Sequence, residues 1–419
     1  MKKILSIIFI CVVTILSITG CKSNTSSNKL TVTIWDQGQE AGLREILNEF
    51  TKETGIETEL QVITWDSYWT LLEAGASGGD MPDVFWMHSN QATKYMKNDI
   101  LLDLTSMINE SSILNVDKFK EDILDMYTYE GKIYAIPKDI DTIALWYNKT
   151  MFDEANIPYP DETWTWETFY DVAKKLTKED GSQYGLAMNT TNNQDGYYNI
   201  IYSMGGSVIS DDKTKSEFNS ENTVKAMNFV GEMIKTVMPP VNVMAETGTD
   251  TLLSSGKIAM LTQGSWMVAP FKQNEYIVQN CDVAIIPKNN DGKRVSLYNG
   301  LGWSVSANTK NPEGALKLVE WLGSENMQRK QADLGVTMSA YEGVSDNWVN
   351  SAPFNLQAYL DVLDEDKAEL VIRPYSKDTL VWENMLQQQL KESWSGNITM
   401  EENCNLIAEK MNEMLKNEQ

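Results

Sequence analysis

The chain has 419 residues, 42% of them hydrophobic, and a formal net charge of −24. That length suggests two or three domains with ample core. The acidic balance speaks against nucleic acid and against electrostatic adhesion to anionic lipid, and a single histidine (His88) without any Cys-x-x-Cys pair speaks against a zinc site or a Cys–His nucleophile.

Lys2 and Lys3 precede an apolar run over residues 4–18, which ends at Thr19, Gly20 and Cys21. A charged start, an apolar stretch of this length and a small-residue end make a secretory signal, too short for a membrane span. Ile18-Thr19-Gly20-Cys21 resembles the bacterial lipoprotein signal, in which the cysteine becomes the lipidated first residue. Residues 1–20 are therefore expected to be a signal peptide and Cys21 the lipidation site. The Ser- and Asn-rich stretch up to residue 29 is expected to be a flexible tether. Removing the leader takes away two lysines and no acids, so 33 basic side chains face 59 acidic ones. Cys11 leaves with the leader. Cys281 and Cys404 are expected as buried free thiols, although sequence does not decide whether they bridge.

Leu30, Val32 and Ile34 alternate with threonines as a strand does, and the strand ends at Trp35-Asp36-Gln37. Leu43, Ile46, Leu47 and Phe50 follow at helical spacing up to Gly55. A second strand over 60–64 leads into a helix opening near Asp66, and Val84-Phe85-Trp86-Met87 reads as a third strand. This alternation predicts a parallel sheet with crossover helices, whose ligands bind beyond the carboxyl ends of the strands. Those ends carry Trp35, Trp65 with Tyr68, and Trp86 with Ser89 and Asn90. Each tryptophan alone reads as core; three at equivalent ends suggest a ligand surface, with about half of such aromatics structural.

Residues 133–152 read as two strand pieces joined by an extended connector over 137–142, because Pro137 would cost a central strand a ladder bond. The chain is expected to cross here between two lobes, with Asp139 and Asp141 looking into the cleft. Beyond it, Trp164 to Leu176 mark a helix, residues 184–188 a strand, and 189–199 a polar loop holding Asp195, Tyr197 and Tyr198. Residues 258–261 form a strand leading to Gly264-Ser265-Trp266, and 283–287 a strand that could carry the chain back. Asn311 and Pro312 open a helix stopped by Gly323. The tail is helical over 356–363, over 379–394 and from the Thr399/Glu402 capping box to Leu415.

Six short pieces then match, in order, those of a known family: 51–56 (TKETGI), 79–86 (GDMPDVFW), 145–149 (LWYNK), 264–266 (GSW), 300–303 (GLGW) and 310–313 (KNPE). The chain resembles the extracellular solute-binding proteins of bacterial ABC sugar importers, the class that includes maltose-binding protein. The resemblance implies an α/β fold of two lobes, each a sheet flanked by helices, with a ligand cleft at the hinge. It implies lobe I at 30–138 and 288–336, and lobe II at 139–287 and 337–419. It implies a carbohydrate ligand, permease partners, a monomer held to the membrane by its lipid alone, no enzyme activity, no cofactor and no metal. By position, Trp35, Gln37, Gln39 and Glu40 fall on the first ligand loop, and Trp86, Ser89 and Asn90 on a stacking and hydrogen-bonding loop. Asp141 falls on the hinge acid, Trp266 on the second lobe's stacking residue, and Trp303 where an aromatic often meets the cleft. Arg373, Tyr375 and Trp382 are candidates from the C-terminal region. Ser89 and Asn90 are neutral where the maltose-binding member is charged, which departs from maltose itself.

Tryptophan faces suit the C–H faces of pyranose rings, and a carboxylate suits hydroxyl pairs. Three other readings stay open on sequence. A secreted glycosidase would need two facing acids at a set separation. A binding protein for a cationic solute could use Asp139, Asp141 and the tryptophans. A structural lipoprotein would not need aromatics at so many strand ends.

Overall fold

The computed structural model describes residues 29–190 and 192–418. The expected signal, Cys21 and the tether up to residue 28 lie outside them. The strands, in chain order, are β1 (Lys29–Ile34), β2 (Glu57–Val62), β3 (Val84–Met87), β4 (Thr128–Tyr129), β5 (Lys132–Ile133), β6 (Ala135–Pro137), β7 (Asp141–Asn148), β8 (Tyr184–Ala187), β9 (Ile258–Gly264), β10 (Cys281–Ile285), β11 (Val295–Asn299), β12 (Gly302–Val305) and β13 (Glu369–Ile372). One sheet runs β2-β1-β3-β12-β6; the other runs β13-β11-β7-β9-β8, with β10 also beside β7. The fold is α/β with two lobes, each a sheet flanked by helices.

Local chemistry sets the helix ends. Gly55, at φ 75°, closes the helix Glu40–Thr54 in the left-handed region that glycine enters without a Cβ penalty. Asn311 accepts from the Gly314 N–H, and Pro312 takes the first position of Pro312–Gly323. Thr399 and Glu402 form the capping box of Met400–Lys416. The C-terminal helix Thr379–Trp394 has its expected span, whereas the segment over 356–363 is helical only at Gln357–Asp361.

Period two along β3 divides the first lobe. Val84 and Trp86 join a core with Leu30, Val32, Phe50 and Leu318, while Phe85 and Met87 pack with Tyr68, Leu72 and Tyr95 on the other face. In the second lobe every residue of β7 is buried, as befits a central strand covered on both faces.

Three segments cross between the lobes. β6 belongs to the first sheet and β7 to the second, so residues 138–140 make the first crossing, as the sequence leads one to expect. The return differs from expectation. β10 and β11 both run along one edge of β7, with Ile285 opposite Ala144 and Tyr298 opposite Thr142. Residues 288–299 therefore stay with the second lobe, and the chain returns at Gly300 and Leu301. The stretch from 337 also differs from the expected boundary, since Ala340, Tyr341 and Val344 pack in the first lobe's core. The crossings are laced together: Lys138 N–H donates to Leu301 O at 2.7 Å, and Asp139 bridges to Ser339. A Cβ at position 300 would lie 2.3 Å from the Asp139 carbonyl oxygen, so the hinge requires glycine there.

Candidate functional site

The register of the two sheets brings one end of each to the same place. The carboxyl ends of β1, β2 and β3 present Trp35, Trp65 and His88 from the first lobe. In the second lobe, β7 begins with Asp141 opposite Asn299 of β11, and Ile143 lies opposite Gly264 at the end of β9. The loop after β8 and the residues after β13 end on the same side.

Not every predicted residue is free to meet a ligand. Trp86 is 0% exposed: it sits opposite Trp303 in register, its ring lies 5.0 Å from Trp35, and the Lys138 ammonium covers it at 4.4 Å. Trp86 and Trp303 are thus core residues rather than platforms. Tyr68 is also wholly buried and donates to the Trp86 carbonyl at 2.6 Å. Trp382 is buried and donates to Ser376 Oγ at 2.8 Å. Glu40 pairs with Arg44 one turn on, and Gln37 is exposed. Tyr375 is half-buried, with the Lys213 ammonium 3.3 Å from its ring centroid. Ser89 and Asn90 open the helix Ser89–Lys97 instead of lying in a loop, with His88 Nδ1 accepting from the Asn90 N–H at 3.2 Å.

The hinge acids divide their work. Asp139 Oδ2 accepts from Lys138 Nζ and Oδ1 from the Leu301 N–H, each at 2.7 Å. Lys138 also donates to Gln39 Oε1 at 3.0 Å, and Gln39 Nε2 to Asp36 Oδ2 at 2.9 Å. Asp139 and Gln39 therefore brace the hinge. Asp141 stands outside that network, and Gln194 Nε2 donates to its Oδ1.

Around Asp141 lies a buried polar cluster. Asp195 is 1% exposed; Asn189 donates to its Oδ2 at 3.5 Å, and its Oδ1 has no partner. Tyr198 is buried and accepts from Asn193 Nδ2 at 3.1 Å. Arg373 Nη2 donates to both carboxylate oxygens of Glu383 at 2.8 Å, and its Nη1 lies 3.5 Å from His88 Nε2 on the opposite lobe. Burial, then Arg373, pushes the His88 imidazolium down to about 3, so His88 is neutral. Gln194 and Glu383 escape sequence reading, since neither carries a motif. Half-exposed rings border the cluster. Trp65 is 41% exposed and edge-on to Trp35 at 5.0 Å, and Trp266 lies flat against Gly264, where a Cβ would fall 2.0 Å from its ring.

Burial pushes the Asp141 carboxyl up to about 7, with Asp139 adding to it, and burial pushes Asp195 up to about 8. Unfolded, such a carboxyl titrates near about 3.9. The folded form thus holds protons that the unfolded chain releases. The stability they give is full below about pH 4 and lost as pH rises through about 7 to 8. Asp141→Asn cannot ionise. In denaturation of the ligand-free protein it is expected to match the parent near pH 4 and to gain on it steadily toward pH 8. A stability difference independent of pH would contradict this.

Lys97 Nζ reaches Asp378 across the lobes at 2.6 Å, and the Tyr298 hydroxyl contacts Asp122, so side-chain contacts join the two lobes outside the hinge. Among the described residues, no group of three or more His, Cys, Asp or Glu is placed to hold a metal ion. No helix among them is long and apolar enough to cross a membrane.

Residues 35–329 match the family model of bacterial extracellular solute-binding proteins. The chain belongs to this family. As a solute-binding protein, it captures and releases rather than catalyses. Among its relatives is the galactooligosaccharide-binding protein of Bacillus subtilis, 26% identical over 78% of this chain and 77% of that protein. The multiple sugar-binding protein of Streptococcus mutans is 23% identical over 78% of each. The fold matches that of a Listeria monocytogenes ABC substrate-binding protein in complex with cycloalternan, with a TM-score of 0.83 over 93% of this chain and 99% of that one at 24% identity. Maltose-bound MalE3 of T. maritima matches with a TM-score of 0.77 at 19% identity, over 92% and 99% of the two chains.

Proposed function

We propose that this solute-binding protein holds a neutral sugar or oligosaccharide between its lobes and hands it to the permease of an ABC importer, tethered outside the cell membrane through a lipidated Cys21. The observation that carries the reading is the buried set of Asp141, Gln194, Asp195 and Arg373, bordered by the half-exposed rings of Trp65 and Trp266. Hydroxyls need both donors and acceptors, and ring C–H faces need aromatic planes. Relatives named for galactooligosaccharides and for multiple sugars support it. A cationic solute fits less well, because Lys138 already neutralises Asp139 and the Arg373 guanidinium bears on both Asp141 and Asp195.

The test is a thermal-shift screen of neutral mono- and oligosaccharides against organic cations. A ligand at a hundred times its Kd adds about 2.7 kcal/mol to stability. Stabilisation by at least one neutral saccharide is expected. Stabilisation by cations alone would overturn the proposal.

A further inference from the structure

β11 ends at Asn299, whose side chain is wholly buried. Neither its Nδ2 nor its Oδ1 has a hydrogen-bond partner. Buried carboxamides are almost always paired, and leaving one open costs far more than an apolar residue of the same shape would. Nothing in the architecture of the strand calls for the polar group.

The register shows where the carboxamide lies. Asn299 sits directly opposite Asp141 on an antiparallel neighbour, and opposed residues share a face. Tyr298 points to the other face, where its hydroxyl contacts Asp122. On that shared face the Asp141 carboxylate accepts from Gln194 Nε2, which belongs to the segment after β8. Asn299 thus looks toward the segment after β8, where Asn193 Oδ1 and Asp195 Oδ1 are also unpaired. Strand β11 brings an unpaired carboxamide to the side of Asp141, on the face that meets Gln194.

We propose that Asn299 reads the solute directly, its Oδ1 accepting from one hydroxyl and its Nδ2 donating to an adjacent one. This rests on the sugar reading above and narrows it to an uncharged solute carrying two neighbouring hydroxyls. An anionic group on the solute would have no proton for Oδ1 to accept.

The experiment compares the full chain with Asn299→Leu and Asn299→Ala, the second guarding against a misfit of the larger side chain. Calorimetry measures affinity for neutral mono-, di- and trisaccharides of glucose and galactose. It then measures the single-deoxy analogues of the tightest binder. Both variants are expected to bind that saccharide roughly tenfold or more weakly. At one hydroxyl position, deoxygenation should cost the parent affinity and cost the variants almost none. A merely structural carboxamide would weaken every analogue alike and leave the parent's preferences in place. Preserved preferences at every position, or parent-like affinity in both variants, overturn the proposal. A parent that binds none of the saccharides overturns the sugar reading instead, and this proposal with it.

Discussion

Arg373→Met is expected to cost about 3–5 kcal/mol of folding stability, the scale for stripping one partner from a buried ion pair. Arg373 is 5% exposed and Glu383 2%, and the guanidinium bonds both carboxylate oxygens at 2.8 Å. Removing it strands a carboxylate in the interior. Burial already holds the Glu383 carboxyl above its usual range, with Arg373 pulling the other way. In Arg373→Met that opposing pull is gone, so Glu383 takes up a proton more readily. The loss should therefore be largest at pH 8 and shrink toward pH 5, where a neutral Glu383 needs no partner. Arg373→Met combined with Glu383→Leu should recover much of the stability, because both ions leave together. Chemical denaturation of the parent and the two variants at the two pH values checks this. A loss that is equal at both pH values, or undiminished in the double variant, would contradict it.

Trp86→Ala is expected to cost about 3–5 kcal/mol of stability, as a large core side chain does when a cavity replaces it. Its ring fills the first lobe between Trp303, Trp35 and the Lys138 ammonium. Trp266→Ala should behave differently. Trp266 is only partly buried and rests on Gly264. Its loss should leave ligand-free stability nearly unchanged and weaken sugar binding by about 1–3 kcal/mol, by analogy with base–aromatic stacking. Thermal melts and calorimetry on both variants separate the two. A Trp86 variant that keeps its stability and loses only affinity would restore that ring to the ligand site.

This pair shows what sequence can and cannot tell. Both tryptophans stand beside polar residues at strand ends, so local pattern treats them alike. What separates them is distant in sequence: Trp303 meets Trp86 across β12, and Lys138 arrives from the hinge. The alternation of Leu30, Val32 and Ile34 and the caps at Asn311 and Thr399 are local, and they were legible for that reason. The return crossing was not. β10 and β11 have the apolar content of any buried strand, and nothing in periodicity names the partner strand. Asp139 and Asp141 likewise differ only through partners, Lys138 and the Leu301 N–H for one and Gln194 for the other. Gln194 and Asn299 carry no motif, and only their positions beside Asp141 mark them.

The most direct test of the account is calorimetric titration, at pH 8, of the parent and Asp141→Asn with the saccharide found in the screen. Asp141 lies where β7 leaves the hinge, and Gln194 Nε2 donates to its Oδ1. The substitution keeps the shape and removes the charged acceptor. The account predicts a loss of about 1.5–3 kcal/mol in binding, the scale for a hydrogen bond to a charged group, with the ligand-free fold intact. Unchanged affinity, or a variant that no longer folds, would contradict it.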